Sequence, residues 1–196
     1  MGNNKKEAYQ TLKNLIRFYV FNFLKKYQLN DYQISQILYL FNLLISECSK
    51  LFLMGILFHA QLELYVFVLI ITLLLRLSTG GIHFKHYWSC FAFSTLYLSI
   101  NIYILPHFCI SVPLQTCLLV FCIFLCLHIG PVASAYRQSD TEKRLKKYKY
   151  ITASFIGIYL ILILLFQSNQ YLLTGFWSII LHSCQLVIAK LRKEIT

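Results

Sequence analysis

The chain has 196 residues, of which 58% are hydrophobic and only 13% charged, with a mean hydropathy of +0.63. A soluble domain is about 45–50% apolar and about 25% charged, so both shifts point away from a soluble globule and toward a membrane protein. The net charge of +11 does not indicate nucleic acid, because Lys and Arg lie in short clusters between apolar runs rather than on a polar domain, a pattern of topology signals and contacts with anionic lipid.

The N-terminal segment carries no secretory signal: it is polar and basic and lacks an apolar core with a small-residue cleavage site. Met1-Gly2 begins like a myristoylation signal, but Lys6 stands where Ser or Thr is needed. Residues 5–27 are amphipathic. Leu12, Leu15, Ile16, Tyr19 and Phe23 recur at helical spacing, and lysines and Arg17 supply the other face and the ends. This predicts a helix in the membrane interface or packed on the protein's own surface.

Six apolar segments follow, at roughly 33–58, 62–77, 88–105, 113–130, 150–167 and 171–189. A spanning helix needs about 20 apolar residues, so each is a candidate. The second is short and ends at Arg76, whose charge can snorkel to the surface unless the chain re-enters the bilayer. The expected fold is therefore an all-α integral membrane protein, a single polytopic domain over 1–196 with six transmembrane helices behind an N-terminal amphipathic helix. With both termini cytoplasmic, every Lys and Arg except Lys50 falls on the inner side, and the outer loops near 59–61, 106–112 and 168–170 carry none. That is the asymmetry the positive-inside rule expects.

Within the first span, Glu47 and Lys50 stand three residues apart on one face. Intramembrane charges are costly, so the pair is either functional or an ion pair satisfied within its helix. The stretch from Arg76 to Cys90 reads RLSTGGIHFKHYWSC. Gly80 and Gly81 end a helix and let the backbone bend. A thiol beside a histidine can become a thiolate nucleophile, and Lys85 or Arg76 would favour it further. Cys90 has two candidate partners. Were 83–90 one straight helix, His86 would lie about 6 Å away on the same face, whereas His83 would lie about 10.5 Å along the axis and would need the chain to fold back. The alternative is that both histidines anchor a loop at the interface and Cys90 is plain packing.

The seven cysteines are odd in number and lie mostly inside apolar runs, so no disulfide framework is expected. Cys48, Cys109, Cys117, Cys122, Cys126 and Cys184 read as small packing residues. Cys117, Cys122, Cys126 and His128 are close in sequence but do not share a helical face, so no metal is expected. The stretch from Tyr136 to Tyr150 carries six basic residues against Asp140 and Glu142, and reads as a loop that signals topology, contacts lipid or docks an acidic peptide segment.

Taken in order, these features resemble the accessory gene regulator B (AgrB) family. Glu47 and Lys50 in ISECSKLFLMGILF resemble its first-span pattern. Arg76, Gly80, Gly81, His83 and Cys90 match its signature of Arg, a Gly-rich turn, His, and Cys seven residues on. Pro131 follows the fourth span, and Lys143, Arg144, Lys146 and Lys147 match its basic loop. Leu145 interrupts that cluster, the turn after Pro131 reads SAYRQSD, and His86 is not required by the signature. The resemblance implies a cysteine endopeptidase of peptide quorum sensing in the membrane of a Gram-positive bacterium, with its site at the cytoplasmic face. It implies Cys90 as nucleophile and His83 as base, with no cofactor. The implied partner is a short precursor peptide whose acidic C-terminal tail is removed and whose own cysteine closes a thiolactone, beside anionic lipids. Whether it acts alone or as a homodimer is not written in the sequence. The competing reading is a small non-enzymatic transporter or scaffold.

Overall fold

The computed structural model describes residues 30–80, 86–108, 110–132, 142–166 and 169–195. The expected amphipathic helix at 5–27, and Gly81, His83 and Lys85 with it, lie outside the described residues. Among the described residues, six helices are long and apolar enough to cross a membrane, which establishes the expected all-α membrane fold. They are α1 (Asp31–Leu57), α2 (Leu62–Thr79), α3 (Tyr87–Ser99, which spans only with its extension to His107), α4 (Val112–Ile129), α5 (Glu142–Leu165) and α6 (Gln170–Ile195). The chain divides into two compact units, Met1–Leu53 and Met54–Thr196, with α1 running through the boundary.

In the first unit, α1 starts where the Asn30 N–H donates to Gln33 Oε1 (3.0 Å), one half of a capping box. Tyr39, Leu40, Phe41, Leu44, Ile45 and Phe52 are exposed. In a membrane chain such a face is solvated by lipid rather than by water.

In the second unit, α2, α4, α5 and α6 supply the core, centred on Leu75, Leu119, Ile156, Phe176, Ile179 and Leu186. Helix α6 is its centre: 56% of its most apolar window is buried, against at most 39% for any other helix. Helix α3 continues through a π-helical turn (Ile100–Ile104) and a 3-10 turn (Leu105–His107) to the far end of the bundle.

Helices α2 and α4 close in the same way and against each other. Gly80 (φ +78°) and Gly130 (φ +72°) terminate them with N–H bonds to Arg76 O (2.9 Å) and Cys126 O (3.0 Å). The Val132 N–H then donates to Thr79 O (2.9 Å). That single backbone bond joins the Gly80 turn to the turn after α4. It also satisfies a carbonyl that a helix end would otherwise leave bare. A short second span with Arg76 as its last residue is therefore not what forms. The apolar run continues three residues further as helix, because Ser78 and Thr79 turn their hydroxyls back onto Leu75 O (3.0 and 2.8 Å).

Helix α5 begins at Glu142 rather than near 150. The expected basic loop is thus, from Glu142 onward, the opening turns of a helix. Leu145, the apparent break in the cluster, is half-buried, while Lys143, Arg144, Lys146 and Lys147 are exposed. One inward residue per turn is ordinary helical periodicity. Two cysteines, Cys122 and Cys126, are buried as expected; Cys48, Cys117 and Cys184 are exposed, which corrects their reading as packing residues. Cys109 lies outside the described residues.

A Cβ at Gly80 would stand 2.5 Å from Val132 O on a backbone that L residues avoid, whereas one at Gly157 meets nothing within 4 Å. Gly80→Ala should therefore cost at least ~1–3 kcal/mol, and Gly157→Ala should gain about 0.5–1 kcal/mol. Unfolding in detergent or lipid checks both, and equal midpoints for the two variants would contradict the strained turn.

Candidate active site

The site is built from the end of α2 upward. Arg76 lies in its last turn, where Nη2 donates to Gln185 Oε1 of α6 (3.4 Å). Three residues on, Thr79 is 2% exposed and is held from three sides. Its hydroxyl donates to Leu75 O, its carbonyl accepts from Val132 N–H, and its Oγ1 lies 2.7 Å from His182 Nε2. Which of the two donates follows from the tautomer of the imidazole. Nδ1 has no hydrogen-bond partner among the described residues. From the other side, Thr152 Oγ1 of α5 donates to Ser78 Oγ (2.8 Å). Each such contact between membrane helices is worth on average about 0.6 kcal/mol, so together they define one arrangement rather than supply most of the stability.

Cys90 enters from α3. The helix starts at Tyr87, and His86 caps it in extended conformation (φ −102°, ψ 136°), exposed and with no side-chain capping bond. The one-straight-helix geometry that favoured His86 is thereby excluded: the chain is not continuous helix from 83 to 90. Cys90 N–H donates to His86 O (3.1 Å). Cys90 is half-buried, and its neighbours in sequence Tyr87, Trp88 and Phe91 form an aromatic cluster whose ring centroids lie 5.3–6.5 Å apart. Such a band of rings marks a membrane interface.

Helix α3 is fixed deeper down. Tyr97 Oη donates to Ser178 O (3.1 Å) and Asn101 Nδ2 to Ser178 Oγ (2.5 Å), both on α6. The structure thus brings Arg76 and Gly80 together with α6 and with the turn at Pro131–Val132. It places Lys143, Arg144, Lys146 and Lys147 at the opening of α5, the helix that packs on α2 through Thr152. Gly81 and His83 lie outside the described residues. Glu47 and Lys50 belong to the first unit, where they form an ion pair within α1 (2.5 Å), with the lysine side chain buried and the carboxylate half exposed.

Sequence reasoning missed Thr79, His182 and Gln185. The available signal was the spacing of Thr174, Ser178, His182 and Gln185, which puts four polar residues on one face of α6; all four are buried. Of Cys117, Cys122, Cys126 and His128, Cys122 and Cys126 are buried, while Cys117 and His128 are exposed, the latter stacked on Phe124. A cavity of about 570 Å³ lies at the other end of the bundle, bordered by Tyr103, His107, Gln115 and Gln170. Tyr103 is thirteen residues, roughly 20 Å, along α3 and its extension from Cys90, so this cavity is not the Cys90 site.

Fold and site define a polytopic α-helical membrane protein with a cysteine-bearing helix start at one end of the bundle. The family model of accessory gene regulator B matches residues 19–186, and no curated protein and no solved structure matches. The chain belongs to the accessory gene regulator B family, which is linked to autoinducing-peptide processing in quorum sensing and works with a precursor peptide.

Arg76, Lys143 and Lys147 lie at one end of the bundle, whereas Ala60 and Asn169 lie at the opposite helix ends. With the basic end cytoplasmic, cysteines introduced at 60 and 169 in a cysteine-free background should label in intact cells with a membrane-impermeant maleimide. One introduced at 143 should label only after permeabilisation, and the reverse pattern would invert the topology.

Proposed function

We propose that the protein is a membrane cysteine endopeptidase that removes the C-terminal tail of a precursor peptide and promotes its closure to a thiolactone. The observation that carries this reading is the family match, which spans the whole stretch from Arg76 to Cys90. The break in the chain at His86 supports it, because it meets the condition under which His83 can reach Cys90. The half-burial of Cys90 also supports it, since a thioester must be shielded from water.

His83 accepts the Cys90 proton as Sγ attacks the carbonyl carbon before the tail. The carbon–nitrogen bond breaks, and the leaving amine takes that proton from His83. The peptide is then a thioester on Cys90. Its own cysteine thiol gives a proton to His83 and attacks the same carbonyl. Cys90 leaves as thiolate and recovers the proton. Exchange between thiols is nearly isoenergetic, so ring closure costs little beyond loop entropy. Arg76 and Gly80 shape the end of α2. Lys143, Arg144, Lys146 and Lys147 attract the acidic tail and anionic lipid at the cytoplasmic face, and Glu47 and Lys50 support the first span.

Co-expression with the precursor tests this. Cys90→Ala should abolish tail removal, His83→Ala should lower it about 10²–10⁴-fold, and His86→Ala should leave it near wild type. Full processing by Cys90→Ala would return the transporter or scaffold reading, and loss with His86→Ala alone would make His86 the base. In reconstituted vesicles, raising salt from about 0.1 to about 1 M shortens the screening length from about 10 to 3 Å. KM should then rise several-fold with kcat nearly unchanged; a salt-independent KM would remove the basic residues from docking.

A further inference from the structure

Helix α6 carries its buried polar residues as a ruler. Thr174 and Ser178 fold their hydroxyls onto Gln170 O (2.8 Å) and Thr174 O (3.0 Å), so neither is left bare. Ser178 also receives α3, through Tyr97 and Asn101. One turn on, on the same face, His182 receives α2 at Thr79, and Gln185 receives it at Arg76. Gly80 follows Thr79 directly. Cys90 stands seven residues, about 10.5 Å, before Tyr97 on α3. Successive turns of one helix therefore set the distance between the Gly80 turn and Cys90.

His182 is a poor choice for stability alone. It is 1% exposed, and its Nδ1 has no partner among the described residues. A buried polar atom left unpaired costs free energy that an apolar side chain avoids. Thr79 would not be orphaned by losing it, because its hydroxyl already donates to Leu75 O. What His182 uniquely supplies is a fixed bond from α6 to the last residue of α2.

We propose that His182 is a positioning residue for peptide cleavage at Cys90, acting through Thr79. This rests on the peptidase reading, and its test begins by showing that Cys90→Ala abolishes tail removal. The full-length protein in lipid is then compared as wild type, His182→Leu, His182→Gln and Thr79→Val. His182→Leu should keep the thermal midpoint and KM while kcat falls about tenfold to 10²-fold, the size of effect a shift of about 1 Å produces. His182→Gln, which keeps a donor, should recover most of kcat. Thr79→Val should reproduce the loss, and the double variant His182→Leu/Thr79→Val should lose no more than either single one.

Alkylation of Cys90 by iodoacetamide, followed by mass spectrometry in the same variants, reads the geometry whether or not peptide is cut. His182→Leu should change that rate several-fold and His182→Gln should restore it. Wild-type kcat in His182→Leu, additive losses, an unchanged alkylation rate, or a folded His182→Gln as inactive as His182→Leu would each overturn the proposal. Processing by Cys90→Ala would instead overturn the peptidase reading, and the alkylation rates would still decide whether His182 positions Cys90.

Discussion

A helix that ends within a membrane protein must find partners for its last carbonyls, because lipid offers none. At the end of α2 the Gly80 N–H closes on Arg76 O, and one bond from outside the helix, Val132 N–H to Thr79 O, meets the last carbonyl. Its consequence is architectural. The bond can form only if Gly80 adopts a left-handed conformation and the turn after α4 lies directly against it. Two turns separated by some fifty residues of sequence thereby become one structural element. The polar contacts of α5 and α6 then converge on the same few residues of α2.

This convergence explains why a chain with a largely lipid-facing exterior keeps so many polar side chains inside. Hydrophobic burial does not distinguish one helix packing from another when the solvent is itself apolar. Hydroxyls, an imidazole and an amide do, because each accepts only a narrow range of distances. Thr152, Ser178 and His182 are therefore address labels more than adhesives. They hold two helices, α2 and α3, that bear Gly80 and Cys90.

The span centres were legible in the sequence, because twenty apolar residues between polar turns admit few readings. The start of α5 was not. Lys143 to Lys149 are good helix formers, but a run of cations at a helix start resembles a loop when judged by charge. The polar face of α6 was hidden for a related reason: averaging over some twenty residues dilutes Thr174, Ser178, His182 and Gln185 among their apolar neighbours. The Gly80 turn was visible as a pair of glycines, and the start of α3 at Tyr87 lies within one residue of the apolar run expected from 88. Burial of Cys117 and Cys184 was misjudged because an apolar residue in a bilayer is as content facing lipid as facing protein.

The opening of α5 has one more property. The first turn of a helix bears roughly half a positive charge from its unpaired N–H groups, so cations there are repelled by their own backbone. Lys143 and Arg144 occupy that position, beside Glu142. The protein thus holds the sources of positive potential side by side, backbone dipole and side chains adding rather than cancelling. An anionic group arriving at this end would meet the helix dipole as well as the exposed cations.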